Sequence, residues 1–248
     1  KNISLVIIST PTKTHTEIAK FAIKQDKHVL VEKPLSLTLN EVTKLENLAK
    51  KNKKLLFVDY PFLFSGSINY IKKMIDSKKY GDLLEIESYR EQAPIRKDCN
   101  VVWDLSVHDI SILNYLLNRE PKSTKSIKIK NLNSHLADTA YLNLIYKNKL
   151  NVFIKNSWIS PTKIRLIKFK FKKAIIHCNE NEPIYKIKIF KKRNKSSLEY
   201  SLEIPEINLT EPLSLMADYI YKSIIHKNNT IFKNNLNFNI TKILKRLS

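Results

Sequence analysis

Glycine is almost absent: among 248 residues only Gly66 and Gly81 occur. A Gly-rich phosphate-binding turn of the GxGxxG or P-loop type therefore cannot be built from this chain. The two cysteines, Cys99 and Cys178, show neither metal-ligand nor redox spacing, which favours plain thiols in a reducing, cytoplasmic compartment. The six histidines offer no zinc-binding spacing, so we expect no bound metal.

Long hydrophobic runs are also missing. No apolar stretch approaches the roughly 20 residues of a membrane-spanning helix, so we expect no membrane partner. The apolar start at residues 3–8 lacks the small-residue cleavage site of a signal peptide. With 43% hydrophobic residues, the composition is that of a globular protein.

Acidic residues are few, and the formal net charge is +21. A nucleic-acid-binding surface would cluster its basic residues on one element, with aromatic side chains among them. Here the lysines are spread along the chain together with abundant Ile and Asn, which indicates drift toward A/T-rich codons. We therefore expect solvated lysine faces and no nucleic-acid partner, and a basic nucleic-acid-binding module stays a remote alternative.

The first 60 residues alternate between apolar strands and amphipathic helices. Three strand-like runs are separated by two helical segments, and they lie at 3–8, 28–32 and 55–58. This order predicts a parallel, doubly wound sheet, whose ligands lie beyond the carboxyl ends of the strands. Capping boxes at 14–17 and 38–41 predict where the helices begin, and Asp26 is expected in a left-handed cap.

The pattern changes after Tyr60. Helices are expected at 67–79, 101–117, 213–225 and 238–247, with a Lys/Asn-rich loop over 227–239. Strand-like runs follow one another with few helices between them, at 83–89, 126–130, 139–146, 151–158, 164–171, 174–177, 184–190 and 198–204. These spacings predict an α/β domain with a largely antiparallel open sheet. We expect a partial Rossmann domain over 1–60 and a substrate-binding and oligomerisation domain over 61–248.

The first candidate for chemistry is Glu32-Lys33-Pro34, at the carboxyl end of the second predicted strand. A lysine there can polarise a hydroxyl or carbonyl group, or hold a base in position. Pro34 allows the Lys33-Pro34 bond to be cis. The alternative is a surface lysine followed by a loop proline.

The second candidate is the pair Asp104 and His108. Four residues apart on a helix, they should face the same way, so His108 could act as a general base beside a carboxylate. The alternative is an ordinary ion pair on a helix surface.

Taken together and in order, several segments resemble the Gfo/Idh/MocA family of oxidoreductases. They are Ile7-Ile8-Ser9-Thr10-Pro11-Thr12 with His15, Lys27-His28-Val29-Leu30-Val31-Glu32-Lys33-Pro34-Leu35, Trp103-Asp104-Leu105 with His108-Asp109, Ser157-Trp158-Ile159-Ser160-Pro161-Thr162-Lys163-Ile164-Arg165, and Glu211-Pro212-Leu213. The stretch from Trp103 to Ser111 most resembles members from surface-polysaccharide and nucleotide-sugar pathways.

The resemblance implies a Rossmann domain followed by an α/β domain, with NAD or NADP as hydride carrier. It implies a sugar, nucleotide-sugar or polyol substrate and a homo-oligomer, dimeric or tetrameric, assembled through the open sheet. Lys33 would stand at the reacting hydroxyl, His108 would be the general acid/base, and Asp104 would orient His108 or help to bind substrate. The cofactor wall would comprise Ser9, Thr10, Pro11, His15, Glu32, Lys33 and Pro34.

The sequence departs from the family pattern at its start. Family members begin with a strand, a Gly-rich turn and a second βα unit, whereas this chain begins on Lys1 directly before the strand at 3–8. We therefore expect an N-terminally truncated fragment that is inactive alone. The alternative is a non-catalytic or degenerate relative on the same fold.

Overall fold

The computed structural model describes residues 3–132, 135–193, 199–226, 231–232 and 235–248. These residues form a three-stranded parallel sheet and an eight-stranded mixed sheet, each covered by helices. The predicted fold class, a partial doubly wound sheet followed by a mostly antiparallel one, is confirmed. No helix in the described part of the chain is long and apolar enough to cross a bilayer.

The parallel sheet contains three strands in the order β1-β2-β3. Its strands and helices are β1 (Leu5–Ile8), α1 (Thr12–Lys24), β2 (His28–Val31), α2 (Leu39–Lys51) and β3 (Leu56–Val58). Both strand pairs are in register, with Ile8 opposite Val31 and Val31 opposite Val58. Consequently the residues that follow the three strands meet at one edge of the sheet.

The two helix starts differ in how well the sequence predicted them. The capping box at 14–17 is wrong, because α1 begins at Thr12 directly after Pro11 without a side-chain cap. Proline fixes a φ that suits the start of a helix, and the Thr14 hydroxyl instead donates to the Pro11 carbonyl at 2.8 Å. The second box is confirmed in its forward half, since Thr38 Oγ1 accepts from the Glu41 N–H at 3.3 Å. Asp26 adopts the expected positive φ, 63°.

The eight-stranded sheet has the order β11-β10-β9-β8-β4-β7-β6-β5, and all neighbours are antiparallel except the parallel pair β4 and β7. A short 3-10 helix at Pro61–Phe64 leads into this part of the chain. Its elements are α3 (Gly66–Asp76), β4 (Leu83–Glu91), α4 (Val107–Leu117), β5 (Ser123–Ile129), β6 (Thr139–Ile145), β7 (Asn151–Ser157), β8 (Ile164–Phe171), β9 (Ala174–Asn179), β10 (Ile187–Lys192), β11 (Tyr200–Glu203), α5 (Pro212–His226) and α6 (Leu236–Leu247). The expected start of the last strand at Leu198 lies outside the described residues.

One face of the eight-stranded sheet lines the hydrophobic core of the second layer, which is the part of the chain built around this sheet. Val152 and Ile154 of β7 are buried, whereas Phe153 between them is 46% exposed. This alternation is the period of a half-buried strand. Helix α4 packs against α6, which also contacts α2, so α6 connects the two layers. Because α6 begins at Leu236, the loop expected over 227–239 is wrong at its end, and residues 227–230 and 233–234 lie outside the described part.

The predicted helix over 101–117 is not uniformly α-helical. A π-helical turn occupies Val102–Ser106 and precedes α4. The side chain of Asn100 supports this turn by accepting from the N–H groups of Val102 (3.1 Å) and Trp103 (3.2 Å). Since a π turn has more residues than an α turn, Asp104 and His108 do not lie on one α-helical stripe.

Candidate active site

Lys33 connects the two layers through its ammonium group. Its Nζ donates to the Oδ1 of Asp104 at 3.0 Å and to the Asp104 carbonyl oxygen at 2.8 Å. Both side chains are mostly buried, at 15% and 9% exposure. The Lys33-Pro34 peptide bond is cis, as the sequence allowed. The end of β2 and the π-helical turn therefore meet at a charge-assisted contact.

Asp104 is held from two further sides. Its Oδ2 accepts from the indole Nε1 of Trp158 at 2.9 Å, and the Arg96 guanidinium lies 3.8 Å from its Oδ1. Trp158 and Arg96 were not among the predicted site residues. Trp158 lies within residues 157–165, one of the segments that resemble the family, and this resemblance could have marked it as a site residue. Sequence spacing, however, gives no indication that its indole reaches Asp104.

His108 does not contact Asp104. Among the described residues no hydrogen bond or ion pair joins the two, so the expectation that Asp104 orients His108 is not met. The π-helical turn explains the difference, because the Asp104 carboxylate faces Lys33 and Trp158. Burial, followed by the charges of Lys33, Arg90 and Arg165, holds the pKa of His108 well below its ordinary value. The imidazole is therefore neutral near pH 7, and its buried Nδ1 has no partner in the described structure.

A buried polar network stands behind His108. Asp109 accepts from Ser88 (2.8 Å) and Asn156 (2.9 Å) and pairs with the Nε of Arg90 at 3.4 Å. The Arg90 guanidinium lies 4.7 Å from the ring centre of Phe62, whose ring meets the His108 imidazole edge-on at 5.3 Å. Sequence reasoning missed this network because its members come from elements far apart in the chain.

His15 is a structural bridge at the cleft. It is only 1% exposed, with Nδ1 2.9 Å from the Pro34 carbonyl oxygen and Nε2 2.8 Å from the Thr10 carbonyl oxygen. The ring thus joins the segment after β1 to the segment after β2. Its nitrogens are occupied by the backbone, so it shapes the cleft rather than offering a free donor.

A cleft of about 920 Å³ opens where these segments meet. Of the predicted cofactor-binding residues, Ser9, Thr10, Pro11, His15, Glu32 and Lys33 line it, and Leu37, Arg96, Lys97 and Asp98 complete one wall. Pro34 is not part of the lining and contributes its carbonyl to His15. The chemistry of the donor set fits part of a nicotinamide dinucleotide site, since hydroxyls, a carboxylate and cations surround a crevice at the carboxyl ends of parallel strands.

Asp59 is a further residue that the sequence reasoning overlooked. It follows β3 as Glu32 follows β2, and its N–H donates to the Val31 carbonyl at 2.9 Å. Burial and the adjacent Glu32 carboxylate raise the pKa of Asp59 to about 7. The rule that selected Glu32, position at the carboxyl end of a parallel strand, would also have selected Asp59.

Comparison with known proteins agrees with this geometry. Residues 1–60 match the model of an oxidoreductase family with an NAD-binding Rossmann fold, and residues 68–179 match the C-terminal domain model of the same Gfo/Idh/MocA family. The chain belongs to the Gfo/Idh/MocA family of oxidoreductases. The family resemblance and the nicotinamide cofactor class expected from it are thereby confirmed.

Individual relatives are more distant. The chain is 30% identical to the myo-inositol 2-dehydrogenase of Thermotoga maritima over 126 residues, which is 48% of this chain and 37% of that protein. It is 26% identical to an oxidoreductase of Bacillus subtilis over 63% of this chain and 49% of that protein. The matched regions therefore span less than half the length of these relatives.

Two solved structures share the fold. The UDP-N-acetylglucosamine 3-dehydrogenase of Acidithiobacillus ferrooxidans superposes with a TM-score of 0.85 at 18% identity, covering 98% of this chain and 77% of that one. A levoglucosan dehydrogenase in complex with NADH and levoglucosan gives a TM-score of 0.85 at 15% identity, covering 99% and 77%. At these identities the likeness concerns the fold.

Proposed function

We propose that this chain carries the substrate-side residues of an NAD(P)-dependent dehydrogenase acting on the CH–OH group of a sugar, nucleotide sugar or polyol. The observation that carries the proposal is the Lys33 ammonium, held by Asp104 at the edge of a cleft that the carboxyl ends of β1 and β2 form. The sugar-alcohol and nucleotide-sugar dehydrogenases among its relatives and structural neighbours support this substrate class.

The proposed chemistry follows from the charge states of the residues. NAD or NADP, when bound, supplies the hydride acceptor or donor. His108 is neutral near pH 7, so in the oxidising direction it accepts the hydroxyl proton as a general base. Lys33 stabilises the negative charge that develops on the substrate oxygen. Asp104 fixes the position of Lys33. We propose this role for Asp104 in place of the predicted one, which was to orient His108.

The organisation around this site is also part of the proposal. We place the boundary between the dinucleotide-binding part, 1–60, and the substrate part, 61–248, at Tyr60. We further propose a homo-oligomer formed through the open face of the eight-stranded sheet. On that face Ile127, Tyr141 and Phe153 of three neighbouring strands are exposed, which gives an apolar surface for a second copy.

The test is turnover with polyols and nucleotide sugars, followed as nicotinamide absorbance. Lys33→Met and His108→Asn should each lower kcat by about 10²- to 10⁴-fold and leave dinucleotide affinity nearly unchanged. Lys72→Met, on a lysine of α3 that pairs with Asp76 and does not line the cleft, is the matched control and should retain wild-type turnover. Unchanged turnover in both site variants contradicts the proposed roles.

A further inference from the structure

Two carboxyl groups lie side by side behind the proposed active site. Glu32 directly follows β2 and Asp59 directly follows β3, and the preceding residues Val31 and Val58 are paired in register. Neighbouring strands are about 4.8 Å apart, so the two side chains leave the backbone close together. The ladder continues past these paired residues, because the Asp59 N–H donates to the Val31 carbonyl at 2.9 Å, so the Glu32 and Asp59 carboxyl groups lie next to each other at this edge of the sheet.

The two carboxyl groups have different surroundings. Glu32 lines the cleft, and its Oε2 accepts from the N–H of Lys33 at 3.2 Å. Asp59 is not part of the cleft lining, and its Oδ1 is buried without a hydrogen-bond partner in the described structure. Asp59 therefore adjoins the cleft, and Glu32 is its neighbour in the lining.

Among the residues that the structure describes, neither of these two carboxyl groups takes part in an ion pair. The charged groups that act on Asp59 are Glu32 and Lys33, both directly after β2. The Lys33 ammonium already pairs with Asp104 at 3.0 Å, and the nearby Arg96 pairs with Asp98 at 2.7 Å. Two adjacent carboxylates without a cation of their own repel each other, so one proton retained between them is the favoured state.

We propose that Glu32 and Asp59 share one proton and that Asp59, acting through Glu32, is a positioning residue for Lys33. The inference rests on the proposed function, because it matters for catalysis only if Lys33 stands at the reacting carbon. With the shared proton in place, the Glu32 carboxylate remains on the Lys33 N–H. After the proton leaves, two like charges separate and the Lys33 segment moves with Glu32.

The raised pKa of Asp59 agrees with this arrangement and indicates the pH at which the change occurs. Burial, followed by the charge of Glu32 and its hydrogen bond, raises this pKa to about 7. The change in the Lys33 segment is therefore expected near neutral pH. His108 titrates well below its ordinary value, so its own protonation occurs at a lower pH and is separable.

The experiment is an NMR titration of the ¹³C-labelled protein from pH 4 to 9, following the Asp59 carboxyl carbon and the Lys33 ε-methylene. We expect the Asp59 carbon to titrate near pH 7 and the Lys33 signal to show an inflection at the same pH. In E32Q the Asp59 midpoint should fall by at least about one pH unit, because the like charge is gone. In D59N the Lys33 inflection should disappear, since the amide can donate to Glu32 at every pH.

Lys72, paired with Asp76 on the surface of α3, is the matched control and should show no inflection near pH 7 in any variant. A wild-type Asp59 midpoint near 4, or a Lys33 inflection that persists in D59N, overturns the proposal. E32Q gives an independent answer if D59N does not fold. Because the titration needs no turnover, an inactive protein with the Lys33 inflection supports the carboxyl pair and counts only against the proposed function.

Discussion

Trp158→Phe is the substitution that isolates one contact of the Asp104 anchor. The indole Nε1 donates to Asp104 Oδ2 at 2.9 Å, and the indole is 4% exposed. Phenylalanine keeps most of the ring but removes this donor. The Asp104 carboxylate, itself mostly buried, then loses one of its hydrogen bonds and retains Lys33 as its close partner.

The expected cost has two parts. A hydrogen bond to a charged group contributes about 1.5–3 kcal/mol, because its loss leaves a buried oxygen without a partner. Shrinking the buried ring adds a packing loss of about 1 kcal/mol. We therefore expect the free energy of unfolding to fall by about 2.5–4 kcal/mol. Because Asp104 anchors Lys33, the position of Lys33 and the affinity for substrate should change as well.

Urea unfolding followed by far-ultraviolet circular dichroism measures this change. The matched control is Trp103→Phe, since Trp103 is also buried, at 8% exposure, but its indole donates no hydrogen bond to any described residue. The control loses the packing term alone, so the difference between the variants is the hydrogen bond. Equal destabilisation of the two variants would refute the reasoning about Asp104.

Two further predictions concern stability and assembly. The raised pKa of Asp59, about 7 in the folded chain against the ordinary 3.8, means that the unfolded chain loses this proton first as pH rises, so the folded state becomes less stable between pH 4 and 7. Urea unfolding measures this effect. After allowance for solvent screening of this partly exposed group, the free energy of unfolding of Asp59→Asn relative to wild type should rise by about 1–2 kcal/mol from pH 4 to pH 8. The control D82N, on the exposed Asp82, should show no such rise over that interval. Tyr141→Asp should weaken self-association at least about tenfold in sedimentation velocity, whereas Y221D, on an exposed tyrosine of α5, should not; equal behaviour of the two variants contradicts the proposed interface.

The parallel sheet and its edge could be predicted from sequence because both depend on local periodicity. Continuous apolar runs separated by amphipathic helices indicate parallel strands, and the carboxyl ends of such strands must meet. That rule placed Lys33 and Glu32 at the cleft. The alternating apolar pattern likewise predicted the strands of the eight-stranded sheet. The register of β4 beside β7, however, could not be read from either strand alone.

The remaining contacts depend on information that spacing does not contain. The side chain of Asn100 supports a π-helical turn, and periodicity assumes a regular α-helix across the same residues. His15 likewise matches a family position that suggests cofactor contact, yet its ring is occupied by two backbone carbonyls. In the first case a local hydrogen bond to a side chain, and in the second a hydrogen bond to a distant segment, changes what the local pattern suggests.

The π-helical turn has a further consequence for how acid and base are separated in the site. On a regular helix Asp104 would lie beside His108 and stabilise its protonated form, which raises the pKa of a histidine. Here Asp104 is directed to Lys33, and burial, followed by the charges of neighbouring cations, lowers the pKa of His108. The Asp104 carboxylate thus holds the Lys33 ammonium in place, while the buried imidazole has no carboxylate partner in the described part of the chain and stays neutral near pH 7. A neutral proton acceptor and an anchored ammonium group can therefore coexist in one site, which is the combination that the proposed alcohol oxidation uses.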